Sequence, residues 1–494
     1  LSIIKYDNSG VLQWSNHFSQ PNKSISPAGL CLDGNDQIYI AGTSDSSGQA
    51  GIVVVKYNQQ GSEDWVFEYP KNFSSFYLSG FAVNPNGNVC VAGSTDYSQA
   101  TLLKITPNGT QEWLVTYTGP NYSIDAAVDL GIDSLRNIYI CGTRNWAGGS
   151  YLIGYTILKY DRFGNLLWKQ VDDSTNANGS PVMKVAANGT VFQLYSTIGQ
   201  EGDASYASLH LTSFDASGNL KWSVEYKPPA NVWLTPSEIL LKQDGNIYTI
   251  ARRNGPDETS AILLQKFSSA GNLVWSTETE NKRTFGKESS KLDIDGNIYI
   301  AVRQPNTADT IFVLKYDMMG QQKLFASFGR GDVFYEGELA VLTVDESGFV
   351  YVSCNNNNNN NGDFLTIKFD KYGTHQWTAT YDGDAHLDDI PIAMCVDKND
   401  NVFVGGRSSD TNVFDTFAII SYNSQGTLRW LSKEYIGWDF NGSTSNGDLT
   451  IDNNGNVYVA TGEGDFITCK YSNEGLLIWR DQFSNSSSER INEF

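Results

Sequence analysis

Apolar and polar residues alternate along this chain in short runs, and the runs come in sets of four. One set reads IAMCVD (392–397), NVFVGG (401–406), TFAIISYN (416–423) and TLRWLSKEY (427–435). Period-two alternation places successive side chains on opposite faces of a strand, and each run has the length of one strand, about 20 Å. The runs, here called a to d, are joined by two turn signatures. Between a and b stand D-x-x-G-N-like sequences such as DGND (33–36), NPNGN (84–88), DIDGN (293–297) and DNNGN (452–456). Between c and d stands Y-D/N-x-x-G, as in YDRFG (160–164). Asn, Asp and Gly tolerate the left-handed backbone of a tight hairpin, so both signatures predict antiparallel hairpins. Asp293, Asp295 and Asn297 also resemble the start of a calcium loop, but no Glu follows at the distance a full loop needs, which favours a plain hairpin turn.

Each set ends on a tryptophan in strand d: Trp14, Trp65, Trp113, Trp168, Trp222, Trp275, Trp377, Trp430 and Trp479, with Leu324 in its place once. The spacing is roughly 52 residues, a period that implies a propeller, a solenoid or a string of beads. Four antiparallel strands per unit predict propeller blades, because a linear solenoid needs flatter, shorter coils. The expected fold class is all-β, a large β-propeller of four-stranded antiparallel blades with almost no helix. The Trp of strand d and the Tyr or Phe of strand c supply the packing between blades. Nine complete blades can be laid out, at about 28–69, 79–117, 127–171, 181–226, 237–279, 288–328, 340–381, 391–434 and 447–483. Residues 1–19 add a leading half-blade, a c–d pair, and 486–494 start a further strand a. The expectation is therefore a piece of a longer polypeptide in which the leading pair completes a tenth blade. The alternative is two smaller propellers in tandem, although no Pro/Gly/Ser linker marks a boundary.

Composition narrows the partners. A formal net charge of −21 opposes binding to a phosphate backbone, which needs clustered Lys and Arg, so nucleic acid is not expected. No apolar run is long enough to span a bilayer as a helix, and direct membrane insertion is not expected. The six cysteines, Cys31, Cys90, Cys141, Cys354, Cys395 and Cys469, all fall inside strand patterns with no CxxC, which suits buried apolar side chains better than disulfides or zinc. No motif for a metal or an organic cofactor stands out, and none is expected.

The segments YTGPNYSIDAAVDLGIDSLRNIYICGT (117–143) and YDGDAHLDDIPIAMCVDKNDNVFVGG (381–406), with the KYD-like and G-x-x-x-W elements that follow, resemble the SBBP β-propeller repeat family. The resemblance covers essentially the whole chain and departs from the pattern at AANGTVFQLY (186–195) and at Leu324. It implies a secreted or surface-displayed bacterial protein of the kind exported by type 9 secretion, with a sorting domain elsewhere in the polypeptide. The family is defined by architecture and brings no catalytic residues with it.

Function is expected on the rim where the b–c and d–a connections emerge, because those vary while the a–b and c–d turns are uniform. The tryptophans outside the repeat register, Trp146, Trp233 and Trp438, fall there and would stack on sugar rings or anchor a protein. Folding back over the loop bases is the competing role. Arg252, Arg303 and Arg407 share one position just after strand b and could face an acidic ligand or pair with nearby loop acids. The Asn run 355–361 reads as a flexible loop. The four His, at 17, 210, 375 and 386, share no repeat position and form no triad. The expected function is a non-catalytic extracellular or cell-surface scaffold, an adhesion module that binds protein or glycan. The alternative is a propeller-fold glycoside hydrolase, whose carboxylate pair need only meet in space.

Overall fold

The computed structural model describes residues 2–6, 12–18, 24–46, 49–69, 76–95, 99–119, 124–145, 152–172, 176–242, 244–256, 260–279, 283–284, 290–292, 295–303, 310–329, 340–345, 347–358, 361–411, 414–437, 447–452, 454–461 and 465–484. Among these there is no α-helix, and the strands fall into a β-propeller-like series of antiparallel sheets. In the first repeat, strands Ser24–Leu32, Ile38–Ser46, Gln49–Tyr57 and Glu63–Glu68 pair in chain order as one four-stranded sheet. The repeats ending at Tyr117, Asp172, Tyr381, Gly437 and Ser484 do the same. In the repeat ending at Gly329, strand a is split into Arg283–Thr284 and Ser290–Leu292. Two neighbouring sets, Val182–Tyr226 and Trp233–Thr279, share one eight-stranded sheet through a parallel bridge between Ala207 and Trp233. Ser2–Tyr6 and Leu12–His17 form the leading hairpin. Contacts divide the chain into two compact units, one built mainly from Leu12–Thr259 and Leu263–Ser276 and the other mainly from Thr277–Phe494.

Strand a starts earlier than its sequence pattern indicates, at Ser24, Phe76, Ile124, Trp233 and Asp389 in five of the repeats. The cause is a bulge. Pairing to strand b shifts register between Pro27 and Gly29, Leu78 and Gly80, Ala127 and Asp129, Pro236 and Glu238, and Pro391 and Ala393. One extra residue breaks period-two alternation, so the part of the strand before the bulge reads as loop. Strand b is longer than its pattern for the same reason of pairing. Asn355–Asn358 continue strand Val350–Asn358 and pair with Asn361–Phe364, so this part of the Asn run is a hairpin rather than a flexible loop. Asn355 is buried and donates through Nδ2 to Asp389 O at 2.7 Å.

The turns work by a more specific device than tolerance of left-handed backbone. Asp33 Oδ1 accepts the N–H groups of Asn35 (2.8 Å) and Gln37 (3.0 Å), and only the fourth residue, Asp36, is left-handed, at φ 54°. Asp133, Asp345, Asp397 and Asp452 hold their a–b turns in this way. Asn58, Asp161, Asp215, Asp317, Asp370 and Asn423 do so between c and d. The first residue is thus chosen as an acceptor, and left-handed backbone is needed only at the fourth, where glycine stands in most turns and Asp36, Arg136 and Asp400 in three.

Those c–d glycines are also where repeats meet. In six described repeats the strand-d indole lies against the left-handed glycine of the next repeat, so that a methyl group added at Gly109, Gly164, Gly218, Gly271, Gly426 or Gly475 would collide with Trp65, Trp113, Trp168, Trp222, Trp377 or Trp430 respectively. The indole N–H donates to a carbonyl two residues before that glycine: Trp65 to Pro107 O (2.8 Å), Trp113 to Arg162 O (3.2 Å), Trp168 to Ala216 O (3.1 Å), Trp377 to Ser424 O (3.0 Å) and Trp430 to Asn473 O (2.9 Å). The ring then sits between aromatics of two repeats, as Trp377 does between Tyr351 and Tyr422. Trp377 is buried, whereas Trp65, Trp113, Trp168, Trp222 and Trp430 are half-buried. Strand c adds a buried lysine to this junction. Lys159 lies over the Tyr139 ring at 4.9 Å and donates to Ala216 O at 2.6 Å, the carbonyl that Trp168 also uses. Tyr139 in turn donates to Asp133 Oδ2 at 2.9 Å. Burying the ammonium is tolerable because it keeps a hydrogen bond to Ala216 O, the Tyr139 face and the Asp133 carboxylate at 3.8 Å oppose its charge, and its stem packs as hydrocarbon.

Candidate functional site

The variable rim differs from repeat to repeat in described detail. Strands b and c run to Thr95 and from Gln99 in one repeat, but extend over 11 residues each, Val191–Glu201 and Ala204–Phe214, in another. This long hairpin turns on Gly202 and Asp203, with Lys227 paired to Glu201 at 3.1 Å and lying over Tyr206 at 4.7 Å. Beside it stands Trp233, half-buried and the first residue of strand a, paired to Asn254. It belongs to a strand rather than to a loop. Trp146 and Trp438 lie outside the described residues, as does Asp293 of the turn first weighed as a calcium loop.

The three arginines sit within strand b, not after it. Arg252 is exposed and pairs with Thr235, and Arg407 is half-buried and pairs with Ile390. Arg303 ends strand Ile298–Arg303, and its side chain lies outside the described residues. Arg252 belongs to the first compact unit, Arg303 and Arg407 to the second.

A cleft of about 270 Å³ opens in the first unit between strand Leu166–Asp172 and the sheet of the following repeat. Tyr155, Gln170, Asp172, Gln193, Tyr195 and Thr212 are among its lining residues. The Tyr155 and Tyr195 rings are 5.0 Å apart, and His210 stacks on Tyr195 at 4.9 Å. Burial lowers the affinity of the His210 imidazole for a proton, against the opposing pull of Glu225 and Asp172. Gln193 is buried, and its Nε2 has no hydrogen-bond partner. Tyr155 is buried and Tyr195 is packed against both Tyr155 and His210, so the amide of Gln193 and neighbouring polar groups are what the cleft offers a ligand.

The second unit holds a cluster that no motif announced. Asp363 follows the Asn hairpin, Asp382 follows strand His375–Tyr381, and Asp389 opens strand Asp389–Val396. One carboxylate oxygen of each lies within 4.8 Å of the other two. Their burial is graded: Asp382 is exposed, Asp363 half-buried and Asp389 wholly buried. Gly383 N–H donates to Asp389 Oδ2 at 2.7 Å, while Oδ1 has no hydrogen-bond partner. Burial pushes Asp363 up to about 6, helped by the charge of Asp382. Burial also pushes Asp389 up to about 6, with Asp363 and Asp382 adding to the effect against hydrogen bonds that favour its charged form. His386 Nδ1 meets Asp382 Oδ2 at 2.6 Å, and this carboxylate raises the imidazole's proton affinity. The connection carrying these groups is well held. Asp388 Oδ1 accepts Gly362 N–H at 2.9 Å, and Lys433 donates to Asp384 at 3.0 Å.

No family model matches the chain, and no curated protein matches it. Solved structures are similar to it at low identity. A eukaryotic initiation factor shares 10% identity over 88% of this chain and 94% of its own, with a TM-score of 0.47. The WD40 domain of SCAP from fission yeast shares 11% over 93% and 95%, with a TM-score of 0.40. A protein of unknown function from Bacteroides caccae shares 14% over 55% and 87%, with a TM-score of 0.27.

Proposed function

We propose that this chain is a non-catalytic scaffold of an extracellular or cell-surface protein, with SBBP-type repeats, that binds a glycan or a protein through its variable rim. Its repeats would form the blades of one large propeller, nine complete and one begun by the leading hairpin. The observation that supports the reading is the contrast between rims. One is held by the same acceptor turn and the same Trp–Gly junction in repeat after repeat, while the connections on the other differ in length and chemistry. A rigid repeated frame carrying unlike loops suits recognition. The polar cleft beside Tyr195, with Gln170, Gln193 and Thr212 in its lining, is a candidate place for a glycan.

A glycan array and a pull-down from cell-surface extract, run on wild type and on a chain with Trp146, Trp233 and Trp438 all changed to Ala, test this reading. Binding by wild type and its loss from a folded triple variant are expected. Unchanged binding removes these tryptophans from the site. A second reading, a polysaccharide-active enzyme, draws on the two carboxyls held near 6, a value suited to acid–base work near neutral pH. Turnover of a polysaccharide by wild type would favour it.

A further inference from the structure

A buried carboxylate oxygen with no donor is costly, because the charged group loses water and receives nothing in return. Asp389 Oδ1 has no well-aligned donor, only the neutral Ser408 hydroxyl standing beside the carboxyl, and two more carboxylates are held next to it where their charges repel. A glycosidase pair does not explain this. Its carboxyl groups flank a sugar that reaches both of them, whereas here the innermost residue is wholly buried. A substrate cannot reach that residue, but a small ion can.

We propose that Asp363, Asp382 and Asp389 form a divalent-cation site, suited to Ca2+, that fastens the connection 382–388 to the hairpin of the preceding repeat. The dimensions agree. Calcium takes oxygen ligands at about 2.3–2.6 Å, so ligands on opposite sides of the ion are about 5 Å apart, and the three oxygens fall within that span. Exposed Asp382 provides the entrance and buried Asp389 the floor. Gly383 keeps the approach open, since a methyl group there would come within 3.0 Å of Asp389 Oδ1 and 2.7 Å of Ser408 Oγ. The nearby cations are already committed: Lys433 to Asp384, and His386 to the Oδ2 of Asp382, which leaves Oδ1 of that residue for the ion. Carboxylate ligands and waters would complete a hard-oxygen shell of the kind calcium prefers to softer metals.

The test is calcium titration calorimetry on metal-stripped full chain at pH 7.5, with melting temperature recorded with and without 1 mM CaCl2. Wild type should bind in the range of extracellular calcium modules, about 0.1–1 mM, and melt higher with calcium. Asp363→Asn and Asp389→Asn should each weaken binding at least tenfold and lose the calcium-dependent rise. Without calcium, Asp363→Asn should melt no lower than wild type, because it relieves repulsion, and this separates loss of a ligand from loss of fold. Asp384→Asn, on the same connection but bonded to Lys433, should bind within about twofold of wild type. Absence of binding by wild type up to 10 mM Ca2+ overturns the proposal, as does binding that Asp363→Asn and Asp389→Asn leave unchanged.

Discussion

Replacing Gly426 by Ala isolates the junction between repeats. The residue has φ 80°, and a methyl group built on it lies 2.5 Å from Cδ2 and 2.7 Å from Cγ of Trp377. Two costs therefore add. The left-handed backbone costs an L-residue about 1–2 kcal/mol. Overpacking a buried, rigid indole costs about 1–3 kcal/mol more, since the ring must withdraw by roughly 1 Å. Gly202 separates these terms, for it has φ 62° with no atom within 4 Å of a would-be methyl. Gly202→Ala should thus carry only the backbone cost, and Gly426→Ala a total of about 2–5 kcal/mol. Trp377→Ala should cost about 3–5 kcal/mol, the usual loss for a large aromatic core residue. In that background Gly426→Ala should fall back to the backbone cost, giving a coupling of about 1–3 kcal/mol. A chain of this size need not unfold in one step, so the readout is local. Hydrogen exchange of peptides covering His375–Tyr381 and Phe414–Tyr422 reports opening of this junction, and peptides covering Val191–Phe214 report the Gly202 control. Equal losses at Gly202 and Gly426, or strict additivity of Gly426→Ala and Trp377→Ala, would refute the account of the junction.

Two further outcomes follow from the turns and the buried lysines. At Asp161, Asp317, Asp370, Asp397 and Asp452 burial tends to raise the carboxyl, but hydrogen bonds from the turn outweigh it and leave each below the ordinary value. A folded value below the unfolded one, about 3.9, gives stability that is present above that pH and is lost as pH falls through the lower folded values. Denaturation midpoints should therefore drop as the pH falls below about 4, and Asp397→Asn with Asp452→Asn should flatten that drop; an unchanged slope would count against it. Lys159→Met keeps the packed stem and removes a charge-assisted hydrogen bond, so it should cost about 1.5–3 kcal/mol in urea denaturation. The low end is expected because Trp168 still serves Ala216 O and Asp133 keeps its turn donors. A midpoint that stays level or rises would mean that desolvating the ammonium cancels its gain.

The repeat, its four strands and its turns were legible because alternation and turn residues recur at every period. What escaped the pattern has identifiable causes. The bulge in strand a hides the residues before it, so Trp233 and Asp389 read as loop although both pair in strands. The Asn run looks featureless, yet pairing to Asn361–Phe364 carries it into a hairpin. The buried lysines, Lys104, Lys159, Lys266, Lys368 and Lys470, were visible as Lys at one strand-c position, which the half-buried Lys56 and Lys315 share. A charged residue recurring on an apolar strand is a signal of an internal partner. The acidic cluster had no such signal, since Asp363, Asp382 and Asp389 come from strand c, a connection and the next strand a of two different repeats. Only the fold brings them together.

Because the junctions from Trp65–Gly109 to Trp222–Gly271, and those at Trp377–Gly426 and Trp430–Gly475, take a tryptophan from one repeat and a glycine turn from the next, the repeats between them carry both halves of the same joint. Such repeats are interchangeable at their joints, whereas the repeat with Leu324 is not. Unequal recombination in steps of one period would lengthen or shorten such an array without inventing an interface, and the variable connections would be copied, lost or reshuffled with their frames. Diversity among these connections would then accumulate by rearranging whole repeats, ahead of any point mutation in a loop.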